Sequence, residues 1–126
     1  MVDDMVGVRK LIKMHLNSMG YLDTVEAENG EDAFTMLSTS SEGSTVGLVL
    51  SDWRMPGGNG NEFLKKVRGT PKFEKLPFLV VTAEGEVSAL LTMVQLGASE
   101  YIVKPFTPDI LMKKLSIVWR KHNPEA

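Results

Sequence analysis

The chain contains no cysteine. A disulfide framework, a thiolate nucleophile and a zinc–thiolate site are therefore excluded. Histidine is nearly as scarce. His15 and His122 lie too far apart in sequence for a metal-ligand motif, and each falls among helix-forming residues, so each is expected on a solvated helix surface. No apolar run approaches the ~20 residues that span a bilayer. The opening residues are acidic rather than basic and then apolar, so no secretory signal is read there and the cytoplasm is the expected location. Charge of one sign is not in excess either. A formal net charge of −2 gives no basic footprint for nucleic acid and no polybasic membrane segment.

What is present suits one soluble domain. The 126 residues, 43% apolar and 24% charged, allow a single hydrophobic core, and residues 1–126 are expected to form one domain without repeat or linker.

Short apolar runs alternate with amphipathic segments. Val8, Leu11, Ile12, Leu16 and Met19 recur at helical spacing until Gly20. Thr24 to Glu28 predicts a short strand ending at the Asn29-Gly30 turn. Glu31 to Ser38 predicts a helix with Ala33, Phe34 and Leu37 inward, and residues 39–45 a loop. Val46 to Leu50 is nearly continuous in apolar character, as in a strand covered on both faces, and leads into Ser51-Asp52. Residues 55–60 predict a loop, Asn61 to Arg68 a helix, and Leu76 to Val81 a second buried strand ending at Thr82. A helix is predicted from Glu86 to Leu96, stopped by Gly97. A strand follows from Tyr101 to Val103, then a helix capped by Thr107 with Pro108 in its first turn. Such alternation implies a parallel sheet with helices on both faces. Ligands bind to such sheets at the carboxyl ends of the strands.

The strand ends carry the chemistry. Asp3 and Asp4 follow the first apolar residues, Asp52 the third predicted strand, Thr82 the fourth and Lys104 the fifth. Each alone has an ordinary reading: a turn or cap for the acids, a β-branched strand residue for Thr82, a solvated surface side chain for Lys104. Together on one sheet edge they define a site. Three neighbouring carboxylates repel unless a cation sits among them, and Mg²⁺ prefers hard oxygen ligands. A carboxylate is also a nucleophile toward phosphorus. Lys104 and the Thr82 hydroxyl are suited to neutralising phosphoryl oxygens.

The segments Val2-Asp3-Asp4, Ser51-Asp52-Trp53-Arg54-Met55-Pro56, Val81-Thr82-Ala83-Glu84 and Lys104-Pro105-Phe106 resemble the motifs of response-regulator receiver domains of the CheY type. The resemblance extends over essentially the whole chain, including Gly97-Ala98-Ser99 and Tyr101. It implies an α/β, flavodoxin-like, doubly wound sheet of five parallel strands in the order 2-1-3-4-5. It also implies that Asp52 accepts a phosphoryl group from a histidine kinase. Asp3, Asp4, Asp52 and the backbone carbonyl of Arg54 would hold Mg²⁺. Lys104 would contact the phosphoryl group, ahead of a cis bond to Pro105, and Thr82 and Tyr101 would form the switch pair. The fourth helix, fifth strand and fifth helix would bind a downstream protein, as in chemotaxis and other two-component signalling.

Three features depart from that pattern. Only Met1 and Val2 precede the acidic pair, so the first strand is expected to be truncated. Asn59 stands where the family often has an acid. Arg54 and Glu84 flank the phosphorylation site and are expected to modulate dephosphorylation, unless both are simply solvated. The fourth helix offers an apolar stripe of Val87, Leu91 and Val94, with Ala89, Met93 and Leu96 on other faces, which fits either a partner surface or ordinary packing.

Other readings remain. The chain ends soon after the fifth helix, so no output domain is expected, although a receiver excised from a longer regulator and a phosphorelay intermediate fit the same residues. An aspartyl phosphatase of similar topology would need a second acid two positions after the nucleophile, where Arg54 stands. A flavin-binding protein would meet phosphate repulsion from the strand-end acids. Apart from self-catalysed phosphoryl transfer and hydrolysis, no enzymatic activity is expected.

Overall fold

The computed structural model of the chain describes residues 1–39, 46–54, 60–83 and 89–124. Its strands are β1 (Val49–Asp52), β2 (Phe78–Ala83) and β3 (Glu100–Lys104). They form a parallel sheet in the order β1-β2-β3. Helices α1 (Val6–Ser18), α2 (Gly30–Thr39), α3 (Gly60–Gly69), α4 (Leu90–Leu96) and α5 (Pro108–His122) surround it. Among the described residues, no helix is long and apolar enough to cross a membrane.

The two remaining expected strands are reduced to one residue each. Val2 bridges in parallel to Ala27 on one side and to Ser51 on the other. Its N–H donates to the Leu50 carbonyl at 2.8 Å, and the Asp52 N–H donates back to the Val2 carbonyl at 2.8 Å. The Asp3 N–H donates to the Ala27 carbonyl and the Ala27 N–H to the Met1 carbonyl. The spatial sequence is therefore Ala27, Val2, β1, β2, β3, which is the 2-1-3-4-5 order with abbreviated first and second members. Beside Met1 and Val2 a cleft of about 1170 Å³ opens between residues 23–27 and 46–50.

Alternation along the strands sends side chains into two layers. Val49, Phe78 and Val80 pack with Ala33, Leu37, Phe63, Leu64, Val67 and Met93 on the side of α2, α3 and α4. Leu50, Leu79, Val81 and Ile102 pack with Ile12, Leu16, Leu111, Leu115 and Val118 on the side of α1 and α5. The sheet is thus covered on both faces, which is why its strands read as continuous apolar runs.

Element boundaries follow local chemistry. Gly20 (φ 95°) and Gly97 (φ 98°) lie beyond the ends of α1 and α4 in left-handed conformations that favour glycine. The Thr107 hydroxyl accepts the Ile110 N–H at 3.3 Å, and Pro108 opens α5. Two expectations are corrected. His15 is buried beside Phe106, and His122 is only half-exposed, its Nε2 2.7 Å from the Ser99 hydroxyl. In α4 the inward residue is Met93, 1% exposed, whereas Leu91 and Val94 are 68% and 67% exposed. Val87 lies outside the described residues.

Candidate functional site

The parallel register brings the strand ends together. Asp52 is aligned with Val81, and Val81 with Ile102. Thr82 therefore projects one residue, and Lys104 two residues, beyond the level of Asp52. Asp3 and Asp4 arrive at the same edge because Val2 is clamped between Ala27 and Ser51.

Carboxylate oxygens of Asp3, Asp4 and Asp52 all lie within 4.8 Å of one another. Asp3 and Asp52 are buried and Asp4 is exposed, so the group opens to solvent on one side. The Lys104 ammonium reaches both buried acids, at 3.2 Å from Asp3 Oδ2 and 3.4 Å from Asp52 Oδ1. The second oxygen of Asp3 accepts the Met5 N–H at 2.9 Å. This is a set of hard oxygen donors with a net negative charge and one exposed member, which fits Mg²⁺. Asp3, Asp4 and Asp52 would hold it.

Burial pushes the Asp52 carboxyl above its ordinary value. The Lys104 charge opposes this and the Asp3 charge reinforces it, while hydrogen bonds from Lys104 and the Trp53 backbone favour the ionised form. A divalent cation at the acids would add a further charge favouring the carboxylate.

The start of α3 sits close against the backbone of Asp52 and Trp53. The Gly60 N–H donates to the Trp53 carbonyl at 2.8 Å. A Cβ at Gly60 would fall 2.5 Å from the Asp52 carbonyl oxygen and 3.0 Å from Trp53 Cα. Only glycine lets α3 start this close to the Asp52 backbone. Thr82 is fully buried at the end of β2. Tyr101, in the middle of the sheet edge, is partly buried against the Met93 side of the core, and the Lys114 ammonium lies 4.4 Å from its ring centroid. The Lys104–Pro105 bond is cis, as the resemblance implied. Arg54 is exposed next to the site. Glu84, the other expected modulator, and Asn59 lie outside the described residues.

Arg9 and Glu26 are in the site's supporting layer but are not evident from the strand-end pattern. Arg9 is buried in α1, with Nη1 donating to the Asp3 carbonyl at 2.7 Å and Nε to Glu26 Oε1 at 3.1 Å. The available signal was its position: Arg9, Ile12 and Leu16 follow one helical stripe, and the stripe is the buried one.

Comparison with known proteins shows the family. Residues 1–116 match the family described as the response regulator receiver domain. The chain is 38% identical to the chemotaxis protein CheY1 of Helicobacter pylori over 117 residues, covering 93% of this chain and 92% of that protein. It is 41% identical to a chemotaxis protein CheY homolog of Campylobacter jejuni over 117 residues, covering 93% and 88%. Among solved structures it is similar to the chemotaxis response regulator CheY4 of Vibrio cholerae, with a TM-score of 0.81 at 30% identity over 93% of each chain.

Proposed function

Because the chain belongs to the response-regulator receiver family, a family of phospho-accepting switches in two-component signalling, we propose that Asp52 is its phospho-acceptor and that Asp3, Asp4, Asp52 and the Arg54 carbonyl hold Mg²⁺. The observation that carries this reading is the convergence on one sheet edge of three carboxylates with Lys104, which touches both buried acids.

In this reading a carboxylate oxygen of Asp52 attacks the phosphorus of a phosphohistidine on a partner kinase. The phosphorus–nitrogen bond breaks and the imidazole departs with its electron pair. When bound, Mg²⁺ supplies charge neutralisation for the acids and the phosphoryl oxygens. Lys104 moves from its contact with Asp52 to a phosphoryl oxygen, and the Thr82 hydroxyl donates to another. Little covalent chemistry is asked of the protein beyond positioning. The same edge admits water for hydrolysis of the acyl phosphate, with Arg54 and Glu84 setting its access.

The output is a population shift. The phosphoryl group favours the conformation in which Thr82 and Lys104 converge on it. Movement of Thr82 frees space for Tyr101, which changes the surface made by α4, β3 and α5. Leu91 and Val94, exposed on α4, offer apolar anchors there for a downstream protein. A chemotaxis-like output in the cytoplasm is proposed from the named relatives. Incubation with acetyl phosphate and Mg²⁺, followed by borohydride reduction and peptide mapping, tests the assignment. The modified residue is expected to be Asp52, and modification elsewhere refutes it.

A further inference from the structure

The acidic pair lies on a short bend between the Val2 bridges and α1. Such a bend needs something to fix its direction, because two carboxylates beside a third repel it outward. One tie is the Asp3 N–H to the Ala27 carbonyl at 3.1 Å. The other comes from the helix. Arg9, one turn into α1, is buried and donates from Nη1 to the Asp3 carbonyl at 2.7 Å. Its Nε is anchored on Glu26, the residue next to Ala27, at 3.1 Å. Residues 26 and 27 thus hold the Asp3 backbone at both its N–H and its carbonyl, one directly and one through the guanidinium.

The contact is selective. Arg9 reaches the Asp3 backbone and leaves its carboxylate alone, whose oxygens go to Met5 N–H and Lys104. Its own charge is matched by Glu26, so it does not need an acid of the site as its counter-ion. A buried arginine with fixed fork geometry suits this task, since an ammonium offers no second rigid donor.

We infer that Arg9 is a positioning residue for the metal site: it orients the Asp3-Asp4 bend, and through it the affinity for a divalent cation. The inference rests on the assignment of Asp3, Asp4 and Asp52 as Mg²⁺ ligands. Partners that orient metal ligands are typically worth about 10- to 100-fold in affinity.

Calorimetric titration of the full chain with Mg²⁺ alone, without any phosphodonor, tests it. Arg9→Met keeps most of the apolar stem and should weaken Mg²⁺ binding by about tenfold or more. Arg9→Lys keeps a cation and the fold, and should fall between Arg9→Met and the wild type. Val118→Ala, on the buried face of α5, provides a destabilised control that should bind Mg²⁺ like the wild type when measured well below its melting temperature. Wild-type affinity in both Arg9 variants overturns the inference while leaving the ligand assignment intact. Equal weakening in Val118→Ala overturns it too, by reducing the effect to stability. A wild-type protein that binds no Mg²⁺ overturns both the inference and the assignment it rests on.

Discussion

At Asp52 burial and the Asp3 charge act against ionisation, and the Lys104 ammonium acts for it. The net displacement is upward, so the folded state holds this proton more tightly than the unfolded chain does. The resulting stability is present at low pH and is lost as pH rises through the folded-state value. At neutral pH and without metal, the Asp52 charge therefore costs stability. Asp52→Asn is expected to raise the melting temperature by a few degrees at pH 7 in a chelating buffer. Saturating Mg²⁺ should narrow or reverse that difference; differential scanning calorimetry checks both. The residues that carry this chemistry were legible in the sequence because acids, a hydroxyl and a lysine at successive strand ends have few joint explanations. Arg9 and His15 were not legible in the same way. Their burial is supported by Asp3, Glu26 and Phe106, and contacts with the last two come from distant parts of the chain, which local periodicity does not report.

Among the elements, α4 shows where pattern reading falls short, because its described span, Leu90–Leu96, makes about two turns, too few for periodicity to separate one face from another. The stripe of Val87, Leu91 and Val94 looked like a face in its own right, yet Met93 is the core anchor and two of the stripe's members are exposed. Met93→Ala is accordingly expected to cost about 2–4 kcal/mol in urea denaturation, and Leu91→Ala no more than about 0.5 kcal/mol. The abbreviated first strand has its own signature. The Met1 ammonium donates to the Val25 carbonyl at 2.8 Å, and burial lowers its pKa from 8.0 to about 6, with Arg9 adding to the shift and Glu26 opposing it. His122 is also shifted downward, by burial first and then by Arg68 and Lys121. Both groups bind protons better in the unfolded chain. Stability should therefore rise with pH, through the histidine range for His122 and from about 6 to 8 for Met1. Chemical denaturation across that window checks the sign. His122→Gln should flatten its lower part only; a fall in stability across it would contradict the assignment. The helices with strong stripes, α3 and α5, were readable from sequence, as was the Thr107 cap of α5. The truncated first strand was readable too, from how few residues precede Asp3, but the second, expected over residues 24–28 and reduced to the Ala27 bridge, was not, because its pairing depends on neighbours rather than on its own composition.

For the molecule as a whole, the sheet connects a charged edge to a distant surface. Lys104 ends the same strand that carries Tyr101, and Thr82 lies one residue before the end of the strand beside it. Coupling between phosphorylation and surface therefore has a short physical route through β2 and β3. Thr82→Ala is expected to retain the phosphoryl adduct while losing most of the amide chemical-shift changes on α4, β3 and α5 that phosphorylation causes. Undiminished changes in that variant would remove Thr82 from the switch. The switch expectations depend on phosphorylation at Asp52. The most direct test is the intact mass of wild-type protein and Asp52→Asn after incubation with acetyl phosphate, with Mg²⁺ and with a chelator. A single phosphoryl adduct is expected on the wild type, only with Mg²⁺, and none on the variant. An adduct of equal yield on Asp52→Asn, or none on the wild type, would contradict phosphorylation at Asp52.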